Sequence, residues 1–198
     1  RFYLPDGDPD SIKIIDKMNW TGTGLEVSRD SWESHKHRSE FTEAGIYLLV
    51  GNDENSELPL LYIGQGDGVI SRISSHYSQK LFWDRVIVFV SKNAGLNKAH
   101  ITWLEWALIC KAKKFNRCKL DNSITPNEPN LTEFEKAGTE EFLNEILSIL
   151  PLIDIKVFTE AKTIIPPEES PSIQDTVIVP AQEDGFKRVF LDENCWHA

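Results

Sequence analysis

The chain has 198 residues, 40% hydrophobic and 26% charged, a composition that supports a packed core and excludes wholesale disorder. Its 21 basic and 31 acidic residues leave a formal net charge of −10, which taken whole counts against a surface built for nucleic acid. The apolar runs fall well short of the roughly 18–20 residues of a membrane span, no leader pattern opens the chain at Arg1, and Cys110, Cys118 and Cys195 include no CxxC pair. Together these predict a soluble cytoplasmic protein without a disulfide scaffold or a cysteine zinc site, and without a membrane partner.

In chain order, β-type runs at 11–18 and 25–28 are separated by Asn19-Trp20-Thr21-Gly22-Thr23-Gly24, a hairpin or meander link. A polar helix is predicted over 30–38. Two apolar strands follow, 45–50 and 60–63, joined by a polar loop that favours a hairpin. After Gly64-Gln65-Gly66-Asp67-Gly68 a helical pattern begins, with Ile73 and Tyr77 on one side and Arg72 and His76 on another. The β-branched run 85–90 reads as a third, central strand. Residues 98–115 form a helix with Ile101, Leu104, Leu108 and Ala112 at helical spacing. The Asn- and Pro-rich stretch 121–131 is a loop, 133–150 an amphipathic helix ended by Pro151, and 153–158 a last strand. The divisions expected are an extension of β-hairpin and helix at 1–40, a main domain at 41–160, a Pro/Glu/Ser linker at 161–185 and the start of a further element at 186–198.

The charge is unevenly placed. Between residues 62 and 120 there are ten basic and only three acidic residues, +7, which leaves −17 for the flanks. A basic centre within acidic flanks is compatible with one surface that faces a polyanion.

Individual residues admit plain structural roles. Tyr47 and Tyr62 on paired strands suit core aromatics with hydroxyls at the rim, or phenols that orient an attacking water. Arg72 and His76, four apart on one helical face, suit a solvated surface, or a pair of groups gripping a phosphate that relieves their mutual repulsion. Glu105 has Ile101, Leu108 and Ile109 as helical neighbours. A carboxylate set beside an apolar stripe requires a cation, and either Arg72 or a metal ion satisfies it. Asn122 suits a turn, with Asn127 and Asn130 as rivals for any functional role. His35 and His37 lack a third ligand nearby, His100 opens a helix at the surface, and the six Trp residues suit packing, although Trp103 and Trp106 flank Glu105. The glycines at 64–68 precede a helix but match neither a Walker A loop nor a full GxGxxG motif.

Gly45-Ile46-Tyr47 and Tyr62-Ile63-Gly64 on adjacent predicted strands, then Arg72, then a helical Glu105, then Asn122, form an ordered set. The set resembles the GIY-YIG nuclease superfamily over roughly residues 41–158. Leu4-Pro5-Asp6-Gly7-Asp8-Pro9 and Asn19-Trp20-Thr21-Gly22 also look like segments that precede this domain in some uncharacterised prokaryotic members. The resemblance implies an α/β (α+β) fold with a small, mainly antiparallel three-stranded sheet flanked by helices and the site on the concave sheet face. It implies hydrolysis of DNA phosphodiester bonds with one divalent metal, Mg²⁺ or Mn²⁺, held by Glu105. In that scheme Tyr47 is the general base or positions the water, Arg72 stabilises charge on the phosphoryl oxygens, and Tyr62 assists at the phosphate. His76 relays or accepts a proton, and Asn122 holds the surroundings of Glu105 in place. RNA is a further possible substrate. A non-cleaving module that binds nucleic acid or a protein through the same pocket is the alternative of a different class.

Overall fold

A computed structural model describes residues 1–53, 56–93 and 95–160. The linker expected at 161–185, the element expected at 186–198 and Cys195 lie outside the described residues.

Seven strands form one sheet in the order β1-β2-β3-β6-β4-β5-β7. They are β1 (Phe2–Tyr3), β2 (Ile12–Ile15), β3 (Gly22–Ser28), β4 (Gly45–Gly51), β5 (Leu60–Gly66), β6 (Trp83–Ser91) and β7 (Lys119–Leu120). All pairings are antiparallel except that of β5 with β7. The expected three-stranded sheet therefore has to be corrected: β5, β4 and β6 are adjacent, but the sheet does not stop at β6. The reason is β3, whose Leu25 and Val27 are fully buried and which pairs with β6 over seven residues, Gly22↔Ser91 to Ser28↔Arg85. The 1–40 extension thus adds three strands to the same sheet. Its one fully interior charge, Glu26, is neutralised from both neighbouring strands, by Lys13 at 3.2 Å and Arg85 at 2.7 Å. A buried carboxylate without such partners would be costly.

β6 is buried on both faces, as a central strand must be. Val86, Val88 and Val90 point one way, with Tyr47 and Leu49 of β4; Ile87 and Phe89 point the other, with Ile46 and Leu48. The first face is covered by α1 (Trp32–His35), a 3₁₀ turn at Ser39–Thr42 and α2 (Val69–Gln79). The second is covered by α3 (Lys98–Phe115) and α4 (Glu133–Ile149). The helix expected at 30–38 is thus only the single turn Trp32–His35, and the 3₁₀ turn at Ser39–Thr42 lies beyond it. The strand expected at 153–158 is absent: a 3₁₀ turn at Leu150–Ile153 ends at Asp154, whose φ of 61° reverses the chain. No helix among the described residues is long and apolar enough to cross a membrane.

Both long helices start at capping boxes. Asn97 accepts from the His100 N–H while His100 Nδ1 accepts from the Asn97 N–H, and Thr132 and Glu135 repeat the pattern at α4. His100, expected at the surface, is therefore drawn in, its side chain only 15% exposed. Trp20, Trp32, Trp83 and Trp103 are buried, as packing roles require.

Candidate active site

The two tripeptides face each other across the β4–β5 ladder. Tyr47 pairs with Gly64, and Leu49 with Tyr62. Because side chains alternate along a strand, Tyr47, Tyr62, Gly64 and Gly66 share the face covered by α2. The glycines decide what fits there. A Cβ on Gly64 would sit 2.4 Å from the Tyr47 ring and hydroxyl, and one on Gly66 would be 3.3 Å from Cγ of Arg72. The tyrosine therefore lies across Gly64 and the arginine stem across Gly66. Gly45 is needed for a third reason: its Cβ would meet the Phe89 carbonyl oxygen at 2.5 Å.

Around that trough, aromatic rings form a closed group. Tyr47 and Tyr62 lie 6.2 Å apart, His76 of α2 is 5.9 Å from Tyr47, and its ring meets that of Tyr62 edge-on at 4.7 Å. Tyr47 is fully buried, its hydroxyl without a hydrogen bond of ordinary geometry. Burial raises its pKa well above that of a free phenol; the Tyr62 hydroxyl adds to the rise and the Arg72 guanidinium opposes it. His76 is 9% exposed and neither ring nitrogen has a protein partner. Burial lowers its pKa to about 4, helped by the charges of Lys80 and Arg72 and opposed by Asp121. The expected repulsion between Arg72 and His76 is consequently absent near neutral pH, because His76 carries no charge there.

Gln65, between the two glycines, has the opposite orientation and accepts a hydrogen bond at 2.9 Å from Lys98 of α3. Two turns further along α3 comes Glu105. A cavity of about 410 Å³ joins the two faces at the end of β5, lined by Gln65, Gly66, Asp67, Gly68, Ser71, Arg72, Lys98 and Glu105. Burial raises the pKa of Glu105, while Arg72, Lys98 and Gln65 act in the opposite direction. Arg72 thus lines the same cavity as Glu105, and its charge acts both on Glu105 and on the buried Tyr47 hydroxyl. A slightly larger cavity, about 430 Å³, lies at the other end of the β4–β5 hairpin beside Arg85, Arg117 and Lys156. Its cations are already engaged by Glu26, by the Thr159 and Glu160 carbonyls and by Asp154. In the smaller cavity Lys98 is likewise held, by Gln65 and Asp67, while Arg72 and Glu105 have no ion pair among the described residues.

Asn122 does not touch Glu105. Its amide accepts from the Ile63 N–H at 2.9 Å and donates to the Ile63 carbonyl at 2.7 Å, holding the middle of the second tripeptide. Asn127 and Asn130 are exposed. Lys80, which sequence reasoning passed over, sits 4.5 Å above the Tyr62 ring and forms an ion pair with Asp121. No spacing rule links residues 80 and 121; only the fold brings them together. Lys98 was legible in principle, since seven residues before Glu105 is two helical turns on one side.

Glu105 forms no direct ion pair among the described residues, and it borders an open cavity. A desolvated carboxylate of this kind suits a hard divalent cation that keeps most of its waters. Among the described residues no group of three or more His, Cys, Asp or Glu gathers as a ready metal site; of the two carboxylates that line the cavity, Asp67 is paired with Lys98 at 3.7 Å, which leaves Glu105. Comparison with known proteins finds no matching family model, no matching curated protein and no matching solved structure.

Proposed function

We propose that the chain is a metal-dependent endonuclease of GIY-YIG type that hydrolyses DNA phosphodiester bonds in the cavity between Arg72 and Glu105. The observation that carries the reading is the cavity that Arg72 and Glu105 line together, with the Arg72 stem lying across Gly66 next to the contact of Tyr47 with Gly64. One planar cation near two phenols and one unpaired carboxylate is an arrangement that leaves room for a phosphodiester and a metal ion.

The roles follow from the environments. Arg72 meets the phosphoryl oxygens, where its fork of donors offsets the charge that develops as the bond breaks. Tyr47 is held protonated by burial and its hydroxyl has no exposed surface, so it is a poor base and supports the site from behind, packed across Gly64. His76 is neutral near pH 7 and its ring nitrogens are unpartnered and closed to solvent; for it to accept the water's proton, substrate binding must open its edge-on contact with Tyr62. Tyr62 packs edge-on against His76 and beside Tyr47. Glu105, with water and substrate oxygens, would hold one Mg²⁺ or Mn²⁺, which supplies Lewis-acid polarisation of the scissile phosphate. The backbone of Gly66 and Gly68 at the start of α2 and the Lys98 ammonium make the cavity favourable to an anion.

The test is a plasmid-nicking assay in Mg²⁺ and in Mn²⁺, with the native chain beside Arg72→Ala and Glu105→Ala. Metal-dependent nicking lost in both variants supports the reading. Absence of nicking by the native chain in both metals at low salt overturns it in favour of a binding module.

A further inference from the structure

The outer surface of α3 continues from the proposed active-site cavity, and its chemistry is that of a polyanion-binding face. Lys98, Thr102, Trp106, Cys110 and Lys114 are spaced four apart, the spacing at which helix side chains adjoin one another in a row. All five are exposed or half-exposed while the residues between them are largely buried. At about 1.5 Å per residue the row runs about 24 Å. It begins at the cavity, where Lys98 stands with Glu105.

Charge along this helix is one-sided. After Glu105 it carries Lys111, Lys113 and Lys114 and no acidic residue. Among the described residues none of the three forms an ion pair; Lys113 donates a hydrogen bond to Thr125 Oγ1 at 2.6 Å. Midway, Trp106 stands 5.9 Å from buried Trp103 and borders a groove of about 340 Å³ shared with Lys111, Glu140 and Asn144. Glu140 of α4 lines that groove as well and Glu141 is exposed on the same helix; both repel a polyanion and confine it to the α3 side, while Glu145 is paired with Lys17.

We propose that this face of α3 is the track along which a DNA strand runs from the cavity, with its phosphates on Lys111, Lys113 and Lys114 and an unpaired base stacked on Trp106. The proposal rests on the nuclease reading for the placement of the scissile phosphate, but it is tested by binding alone. The track also reconciles a chain of net charge −10 with a DNA partner, since phosphate contacts supply most nonspecific affinity and only this local face needs to be basic.

The experiment measures binding of a fluorescent single-stranded DNA oligonucleotide to the full chain across a salt series, without metal. The native chain is compared with Lys111→Gln/Lys113→Gln/Lys114→Gln, with the control Lys17→Gln/Lys36→Gln/Lys156→Gln, and with Trp106→Ala. Each lost phosphate contact lowers the slope of log K against log salt by about 0.7 on a single strand, so the α3 triple variant is expected to lose about 2 and the control nothing. Trp106→Ala is expected to weaken binding about 5-fold or more through lost stacking. Equal slopes for the two triple variants, or a native chain that binds no oligonucleotide at low salt, would overturn the track. Should the native chain nick plasmid while the α3 triple variant binds normally, the track fails and the nuclease reading stands. Binding lost on α3 in a chain that never nicks leaves the track standing and removes the nuclease.

Discussion

The side-chain amide of Asn122 bridges both main-chain groups of Ile63, donating to its carbonyl at 2.7 Å and accepting from its N–H at 2.9 Å. It thereby acts as a one-residue strand. The ladder between β5 and β7 ends at Leu61↔Leu120, and the Asp121 N–H still reaches the Leu61 carbonyl at 2.8 Å; Asn122 continues the pairing with its side chain. Asn122→Ala should leave two partly buried backbone groups unpaired and cost about 1–3 kcal/mol in urea unfolding. Asn122→Asp should cost at least as much, since a carboxylate accepts but cannot donate to the carbonyl. A loss below about 0.5 kcal/mol for both would show that the bridge is replaceable by water.

Gly64 and Tyr47 make a second pair whose dependence can be measured. Gly64→Ala pushes a methyl group to within 2.4 Å of the Tyr47 ring, which is fully buried and has little room to retreat. The expected cost is about 1–3 kcal/mol of overpacking. In a Tyr47→Ala background the same change should cost much less. A double-mutant cycle showing simple additivity would contradict the assigned contact.

Acid sensitivity should trace in part to His76. Its pKa falls from the ordinary 6.5 to about 4 on folding, so between those values the unfolded chain binds more protons. The His76 contribution is complete above about pH 6.5 and is lost as pH falls towards 4. Discounted for residual solvent screening, it amounts to about 1–2 kcal/mol. His76→Phe keeps an aromatic ring against Tyr62 and should flatten the stability profile in that window, as read from urea unfolding at a series of pH values. An unchanged profile would place the titration elsewhere.

Lys80 and Asp121 act on His76 in opposite senses, the first lowering and the second raising its pKa. Lys80→Met should therefore move the His76 titration up in an NMR pH series, and Asp121→Asn should move it down. Both variants break the same ion pair, so a purely structural loosening would shift them in the same direction. The signs separate the two explanations.

Glu105 is held in a desolvated setting that raises its pKa, so its ionised form at neutral pH opposes folding: stability is lost as pH rises past the unfolded carboxyl value of 4.5. Glu105→Gln should raise Tm in metal-free buffer near pH 7. Mg²⁺ or Mn²⁺ should raise Tm of the native chain by mass action and leave the variant unmoved. A native Tm indifferent to both metals, with and without DNA, would remove Glu105 as a metal ligand.

Much of this was legible in order along the chain. The continuous apolar runs of β4 and β6 and the helical spacing in α2, α3 and α4 are local features, which a sequence displays directly. The same holds for the ordered tyrosines, arginine and glutamate, since their identity and spacing need no partner to be seen. The strands β1 and β7, two residues each, have no period to read; they exist only because a neighbour supplies hydrogen bonds. The pairing of β3 with β6 joins residues some sixty positions apart, and apolar composition alone does not say which edge a strand will take.

The sequence by itself therefore determined the order of the tyrosines, arginine and glutamate and the places of the long regular segments β4, β5, β6, α2, α3 and α4. Only the tertiary structure decided that the sheet has seven strands, that His76 is buried and neutral, that Asn122 bridges the main chain of Ile63, and that Lys80 closes on Asp121. The division has one physical cause. Periodicity and residue type are properties of adjacent positions, whereas burial and electrostatic surroundings are set by distant segments that meet when the core closes, and those surroundings determine what a titratable group can do.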